Sequence, residues 1–186
     1  MSASREEAPH VGVILPNYGP ALDAAELVGS TRAAEEAGFD SAWVTDHVLV
    51  PEEHARVYGT ITEALVTLGY LLARTERIRL GVSALIVPQR EPVLTLKQLL
   101  SLDYLSGGRV LTAVAAGWME AEFTTLGASF DDRGRRLDAW LRFLEEAGAG
   151  APGRVSVPGP PGAGGWLDPA PVRPEGVEVW VAGVSP

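Results

Sequence analysis

The segment from Ile78 to Gly117 limits the possible folds more than any other part of this chain. Ile78–Ser83 (IRLGVS) is a mostly apolar run, the pattern of a strand covered on both faces. Pro92 suits the first turn of a helix, where its missing N–H leaves no bond unmade. Leu94, Leu96, Leu99, Leu100, Tyr104 and Leu105 predict a broad apolar stripe along that helix, and Gly107-Gly108 stops it. Val110–Ala116 is a second apolar run, broken by Gly117. Two strands joined by one helix over so short a length must be parallel neighbours with a right-handed crossover.

The rest of the chain repeats this alternation. Val11–Leu15 (VGVIL) predicts a strand, ended by the turn Pro16-Asn17-Tyr18-Gly19. Asp23 with Glu26 three residues on predicts a capped helix with Leu22, Ala25, Leu27, Val28, Ala34 and Ala37 inward, closed by Gly38. Ser41–Thr45 (SAWVT) is the second strand and delivers Asp46 and His47 at its end. Thr60-Ile61-Thr62-Glu63 reads as a further capping box, opening a helix with Ile61, Leu65, Leu68, Leu71 and Leu72 inward. Met119–Leu126 and Arg133–Ala147 read as two helical pieces; Asp132 caps the second, whose core face is Leu137, Trp140, Leu141 and Leu144. From Gly148 to Gly176, 15 of 29 residues are Gly or Pro, which predicts an irregular loop before the last strand, Val177–Val181. Residues 1–10 are polar and predict a disordered start to a single domain spanning 1–186. Four β/α units and one bare strand result, and by pattern alone they suit an open doubly wound sheet as well as part of a barrel.

Composition narrows the partners. Fifteen Lys and Arg against 24 Asp and Glu give a net charge of −9, with no basic cluster, which argues against nucleic acid and anionic membrane surfaces. With no cysteine there is no disulfide and no thiolate chemistry. The start MSASREEAPH lacks an apolar signal core and no apolar run approaches the ~18 residues of a membrane span, so a cytoplasmic protein is expected. There is no metal-ligand spacing, no Ser/His/Asp pattern and no G-x-G-x-x-G.

Parallel β/α folds carry their chemistry at the C-terminal strand ends, where the loops converge. Five such ends are legible: Asn17-Tyr18, Asp46-His47, Ser83-Ala84, Gly117-Trp118 and Gly183–Ser185. Asp46-His47 is the sharpest, since imidazole titrates near neutrality and can pass a proton, although the same pair also suits an Asp-anchored turn. Gly117 allows close backbone approach, and Trp118 either stacks on a ring or caps the mouth. Glu120 and Glu122 read as a solvated helix face, His10 and His54 as exposed loop residues, and Arg90 as a surface-paired arginine.

LGVSALIVPQREPVLTLKQLLSLDYLSGGRV followed by GWMEAEF resembles the central signature of the bacterial luciferase-like monooxygenase family. Within it, the sequence is most similar to the actinobacterial branch that uses the deazaflavin coenzyme F420. The resemblance runs from Val11 to about Leu144 and resumes at Glu175–Pro186. It implies an α/β chain of the (β/α)8 TIM-barrel family, here an incomplete barrel of about five parallel strands. It also implies hydride transfer between coenzyme F420 and a small organic substrate, with His47 in acid/base chemistry and Asp46 contacting the cofactor; the alternative is an FMN-dependent monooxygenase that uses oxygen. Ser83-Ala84 stands where the family has a non-prolyl cis peptide backing the flat ring, and Gly117 and Trp118 border the same site. Gly183 and Ser185 resemble its phosphate-gripping turn. Sugar-phosphate oxidisers carry an acidic residue where Trp118 stands, which argues against that substrate. An incomplete barrel leaves VEVWV as an apolar edge, so a homodimer is expected. The other reading is a non-catalytic half-barrel that binds flavin weakly or serves in interaction.

Overall fold

The computed structural model describes residues 10–148, 154–155, 165–174 and 176–183. The elements run β1 (Gly12–Ile14), α1 (Ala24–Glu36), β2 (Ser41–Val44), α2 (Ala55–Tyr58), α3 (Ala64–Leu72), β3 (Arg79–Ile86), α4 (Pro92–Ser106), β4 (Val110–Ala115), α5 (Glu120–Thr125), α6 (Arg133–Gly148), β5 (Arg154–Val155), β6 (Gly165–Trp166) and β7 (Glu178–Val181). The main sheet has the order β1-β2-β3-β4-β7, with every neighbouring pair parallel. Each crossover therefore moves one strand onward in the same direction. A doubly wound sheet reverses its order at a switch point, whereas this winding is that of a (β/α)8 barrel, of which the five strands form an arc. The Gly/Pro-rich stretch departs from expectation in one respect: its β5 and β6 pair antiparallel over two residues each.

The convex face of the arc is the helix side. Ala42, Val44, Leu80, Val82, Val110 and Val114 are buried there against Leu27 and Ala34 of α1, Leu65, Leu68, Leu71 and Leu72 of α3, Leu99 of α4 and Trp140 of α6. The concave face carries the alternate residues, and Trp43 lies across it. A side chain at Gly81 would stand 2.6 Å from the Trp43 ring, and one at Gly12 2.7 Å from its Nε1, so glycine on each neighbouring strand makes the trough that holds the indole. Leu111, Ala113, Ala84 and Ala182 pack around it, and Trp180 tilts onto it with ring centres 5.2 Å apart. At the N-terminal strand ends Arg79 donates to Glu178, joined by Arg173 at 3.0 Å, which ties β3 to β7 across β4. The two margins of the sheet are exposed and apolar: Val11 and Ile14 at β1, Trp180 and Val181 at β7. Among the described residues no helix is long and apolar enough to cross a membrane.

Two local expectations are corrected. Leu94, Tyr104 and Leu105 are exposed, at 57%, 61% and 81%, while the buried face of α4 is Thr95, Leu96, Leu99, Leu100 and Asp103. Leu94 and Leu105 are three helical turns apart and share the outer side, and Asp103 takes an inward position because its carboxylate accepts the Val172 N–H at 2.9 Å. The helix expected to open at Thr60 opens at Ala64 instead, with Glu63 as its cap accepting the Val66 N–H at 2.8 Å. Residues 60–62 stay extended because Ile61 forms a bridge with Tyr18, Thr60 accepts from the Gly19 N–H, and Thr62 donates to the Asn17 carbonyl. Asp23 caps α1 as expected, accepting from the Ala25 and Glu26 N–H groups.

Glu35 at the end of α1 accepts the backbone N–H groups of Glu76, Arg77 and Ile78 at 3.0, 2.6 and 2.9 Å and so anchors the entry to β3. Partial burial pushes its carboxyl up, but the three N–H donors and the Arg77 charge outweigh this and hold it below the usual carboxylate value. The folded form therefore binds this proton more weakly than the unfolded chain does. The stability it confers is complete above the ordinary glutamate range and is lost as pH falls toward the depressed folded value. Denaturant melts from about pH 6 down to about 3 should show a shallower loss for Glu35→Gln than for the parent, whose Glu35 takes up its proton more readily unfolded than folded. Parallel curves would remove this role from Glu35.

Candidate active site at the strand ends

Because all five strands are parallel, their C-terminal ends share one rim. At the first, Asn17 is fully buried and bridges β1 to the end of β2. Its Nδ2 donates to the Thr45 carbonyl and its Oδ1 accepts the Thr45 N–H, both at 2.8 Å. This pairing presents the next two residues, Asp46 and His47.

Successive residues at a strand end point to opposite sides, and Asp46 and His47 diverge accordingly. Asp46, 2% exposed, accepts the Ile86 N–H at 2.9 Å on one oxygen and Arg90 at 2.7 Å on the other. Arg90 also reaches Glu63 at 2.9 Å, so one guanidinium joins the ends of β2 and β3 to the start of α3. Burial alone lowers the Arg90 pKa, but the Asp46 and Glu63 carboxylates overcome it and hold the guanidinium above its ordinary value. Arg90 is thus an inner clamp with only 12% of its side chain exposed, rather than the surface-paired residue expected. Each Asp46 oxygen thus has a protein donor, which ties the ends of β2 and β3 together.

His47, 6% exposed, turns toward α5. Its Nδ1 lies 3.1 Å from Oε2 of Glu122, whose Oε1 accepts the Val48 N–H at 2.6 Å and the Leu49 N–H at 3.1 Å. Glu122 is 1% exposed, which corrects its reading as part of a solvated face. The residue before it in that reading, Glu120, is exposed. Burial pushes the Glu122 carboxyl up, but its hydrogen-bond donors, His47 foremost, outweigh this and hold it below the usual value. Nε2 of His47 makes no hydrogen bond among the described residues and is not sealed off.

Aromatic rings stand round His47. Tyr58 lies at 5.3 Å between ring centres and Trp118 edge-on at 5.9 Å, with Tyr18 behind Tyr58 at 5.2 Å and His54 against Trp118 at 5.3 Å. His54 belongs to this group and is half-buried, where an exposed loop residue was expected. Trp118 is 54% exposed and borders a hollow of ≈ 620 Å³ with Glu53, His54, Glu120 and Thr124.

The Ser83–Ala84 peptide is cis, as the resemblance implied, and the pairing of β3 with β4 shifts register there, between Val82 and Leu85. Ser83 is exposed, while Ala84 joins the Trp43 cluster on the concave face. Gly117 has φ +85°, and a side chain on it would meet Ile86 at 2.7 Å and Phe123 at 2.8 Å, so the turn from β4 into α5 accepts glycine alone. Gly183 lies just beyond β7 and is exposed; Ser185 falls outside the described residues.

Sequence reasoning therefore located the rim and missed Glu122, Tyr58 and the Arg90–Glu63 link. Nothing local in the sequence marks Glu122: Thr124, the other neighbour of buried Phe123 on α5, is exposed.

An arc of parallel strands carrying a buried histidine–carboxylate pair and a cis peptide on its C-terminal rim fits part of a (β/α)8 barrel. Comparison with known proteins agrees. The profile of the luciferase-like monooxygenase family matches residues 8–186. The alkanal monooxygenase alpha chain of Photorhabdus luminescens is 27% identical over 118 residues, covering 63% of this chain and 31% of that protein. The FMN-bound oxygenating constituent of 3,6-diketocamphane monooxygenase from Pseudomonas putida superposes with a TM-score of 0.72 at 16% identity, over 95% of this chain and 51% of that one. An F420-dependent secondary alcohol dehydrogenase holding an F420–acetone adduct gives 0.64 at 20% identity, over 94% and 52%. The chain belongs to the luciferase-like monooxygenase family. It spans about half the length of these solved structures and about a third of the curated relative.

Proposed function

We propose that this chain supplies the proton-handling half of a deazaflavin-dependent oxidoreductase site, acting on a small organic substrate. The observation that carries the reading is His47, held through Nδ1 by a buried carboxylate with Nε2 unpartnered on the rim that also bears the cis Ser83–Ala84 peptide. A flat ring fits this rim: exposed Ser83, Ala84 and the Ala113 and Ala182 side chains beside it offer small groups that a planar system can approach closely. Ser83, Ala84 and Gly117 would border the ring, and Gly183 and Ser185 would meet its phosphate. Bound coenzyme F420 would supply the hydride acceptor or donor. His47 takes up or returns the substrate's proton at Nε2. Trp118 and Tyr58 flank the substrate and keep water from the proton path. Asp46 and Arg90 hold the ends of β2 and β3 at a fixed spacing.

The test is a fluorescence titration of the protein with coenzyme F420 and, separately, with FMN. Saturable quenching by F420 at concentrations where FMN gives none is the expected result. Preference for FMN would move the chemistry to an oxygen-using flavin, and binding of neither would leave a non-catalytic half-barrel.

A further inference from the structure

We propose that Glu122 is a positioning residue that fixes the tautomer of His47, keeping the proton on Nδ1 so that Nε2 is the nitrogen that exchanges protons. The proposal rests on the reading of His47 as the group that moves the proton. It goes beyond that reading by naming what decides which ring nitrogen does so.

The argument is a count of donors and acceptors. The Glu122 carboxylate is sealed from solvent and surrounded by three groups at hydrogen-bond distance: the Val48 N–H, the Leu49 N–H and His47 Nδ1. An ionised carboxylate only accepts, and backbone N–H groups only donate. Oε1 is taken by the two backbone donors, so Oε2 meets Nδ1, and the ring must present its hydrogen there. The depressed carboxyl pKa keeps Glu122 ionised through neutral pH, as this count requires. The Gln89 amide stands near the same carboxylate and helps to lower its pKa, though outside strict hydrogen-bond geometry; a further donor to the carboxylate leaves the demand on Nδ1 unchanged, since an ionised carboxylate accepts several. Tyr58 and Trp118 meet the ring as aromatic neighbours. No other hydrogen bond among the described residues acts on the imidazole.

Glu122→Gln gives an unusually sharp test. A glutamine has one accepting oxygen and one donating NH₂. The Val48 and Leu49 N–H groups cannot change role, so they keep the oxygen, and the NH₂ must face Nδ1. Nδ1 can then only accept, which drives the ring proton to Nε2. The variant keeps the shape of the loop and inverts the tautomer. A role confined to holding the loop would leave the tautomer where it was.

The measurement is ¹⁵N NMR of the imidazole rings at a pH near 8.5, where free histidine is neutral. The three histidines are distinguished by the signals that vanish in His47→Asn. The expected result is Nδ1–H in the parent and Nε2–H in Glu122→Gln. Nε2–H in the parent, or the same tautomer in both, overturns the proposal. If Glu122→Gln fails to fold, the parent spectrum alone decides, since Nε2–H there is incompatible with an ionised carboxylate at Nδ1. The readout needs neither cofactor nor substrate, so a protein that binds no F420 yet shows the tautomer switch loses the functional reading while the His47–Glu122 relation stands. Where turnover is measurable, Glu122→Gln should lower it at least tenfold while the F420 titration curve stays in place.

Discussion

Arg90→Met should lower the free energy of unfolding by about 3–5 kcal/mol, a large share of the total for a domain of this size. Asp46 would be left buried with the Ile86 N–H as its remaining partner, and a carboxylate in such surroundings either stays charged at high cost or takes up a proton. Glu63 would lose its link to the strand ends but is partly exposed and suffers less. Arg90→Lys should restore only part of the loss, since one ammonium cannot match the fork that now serves two carboxylates in different directions. Asp46→Asn in the Arg90→Met background should recover stability, because it removes the uncompensated charge. Urea denaturation of the two single variants and the double variant reads all of this as a double-mutant cycle. A loss below about 1 kcal/mol for Arg90→Met would show that water reaches the pair, as in an exposed ion pair.

The other large effect is on chemistry. His47→Asn should slow hydride transfer by about 100- to 10,000-fold, the usual contribution of a positioned general acid or base, and leave the F420 titration curve unmoved. Asparagine fills much of the imidazole volume and can still donate toward Glu122, so the loop bearing Val48 and Leu49 stays in place. The variant then reports on proton exchange rather than on folding. Turnover equal to the parent's, with any substrate the parent accepts, would remove His47 from the reaction. A lost titration curve with a native melting profile would instead make His47 a binding residue.

These two predictions concern adjacent residues whose roles separate by direction. In the sequence the carboxylate beside His47 is that of Asp46. In the fold Asp46 turns to β3 and Arg90, and the carboxylate on the ring comes from Glu122, 75 residues further on. A third group, the Gly12–Trp43–Gly81 trough, shows the same dependence on register. Each glycine is visible in the sequence, but its purpose depends on the pairing of Gly12 with Ser41 and of Gly81 with Trp43.

The linear order of apolar runs and breakers determined a good deal without coordinates. Ile78–Gly117 demanded a parallel crossover, every strand end fell on one rim, Asp23 capped its helix, and Gly107 closed another in the left-handed region with φ +70°. The caps and stops are local, set by residues within a few positions of one another, and the common rim follows from the β/α alternation. The apolar pattern left the direction in which the sheet winds open, and the family resemblance implied the barrel arc that the strand order shows; the burial of Glu122 and Arg90 and the exposure of Leu94 and Leu105 came only with the tertiary structure. GWMEAEF is the same string whether its second glutamate faces water or the end of β2, because the groups that claim that carboxylate arrive from a strand end far back along the chain.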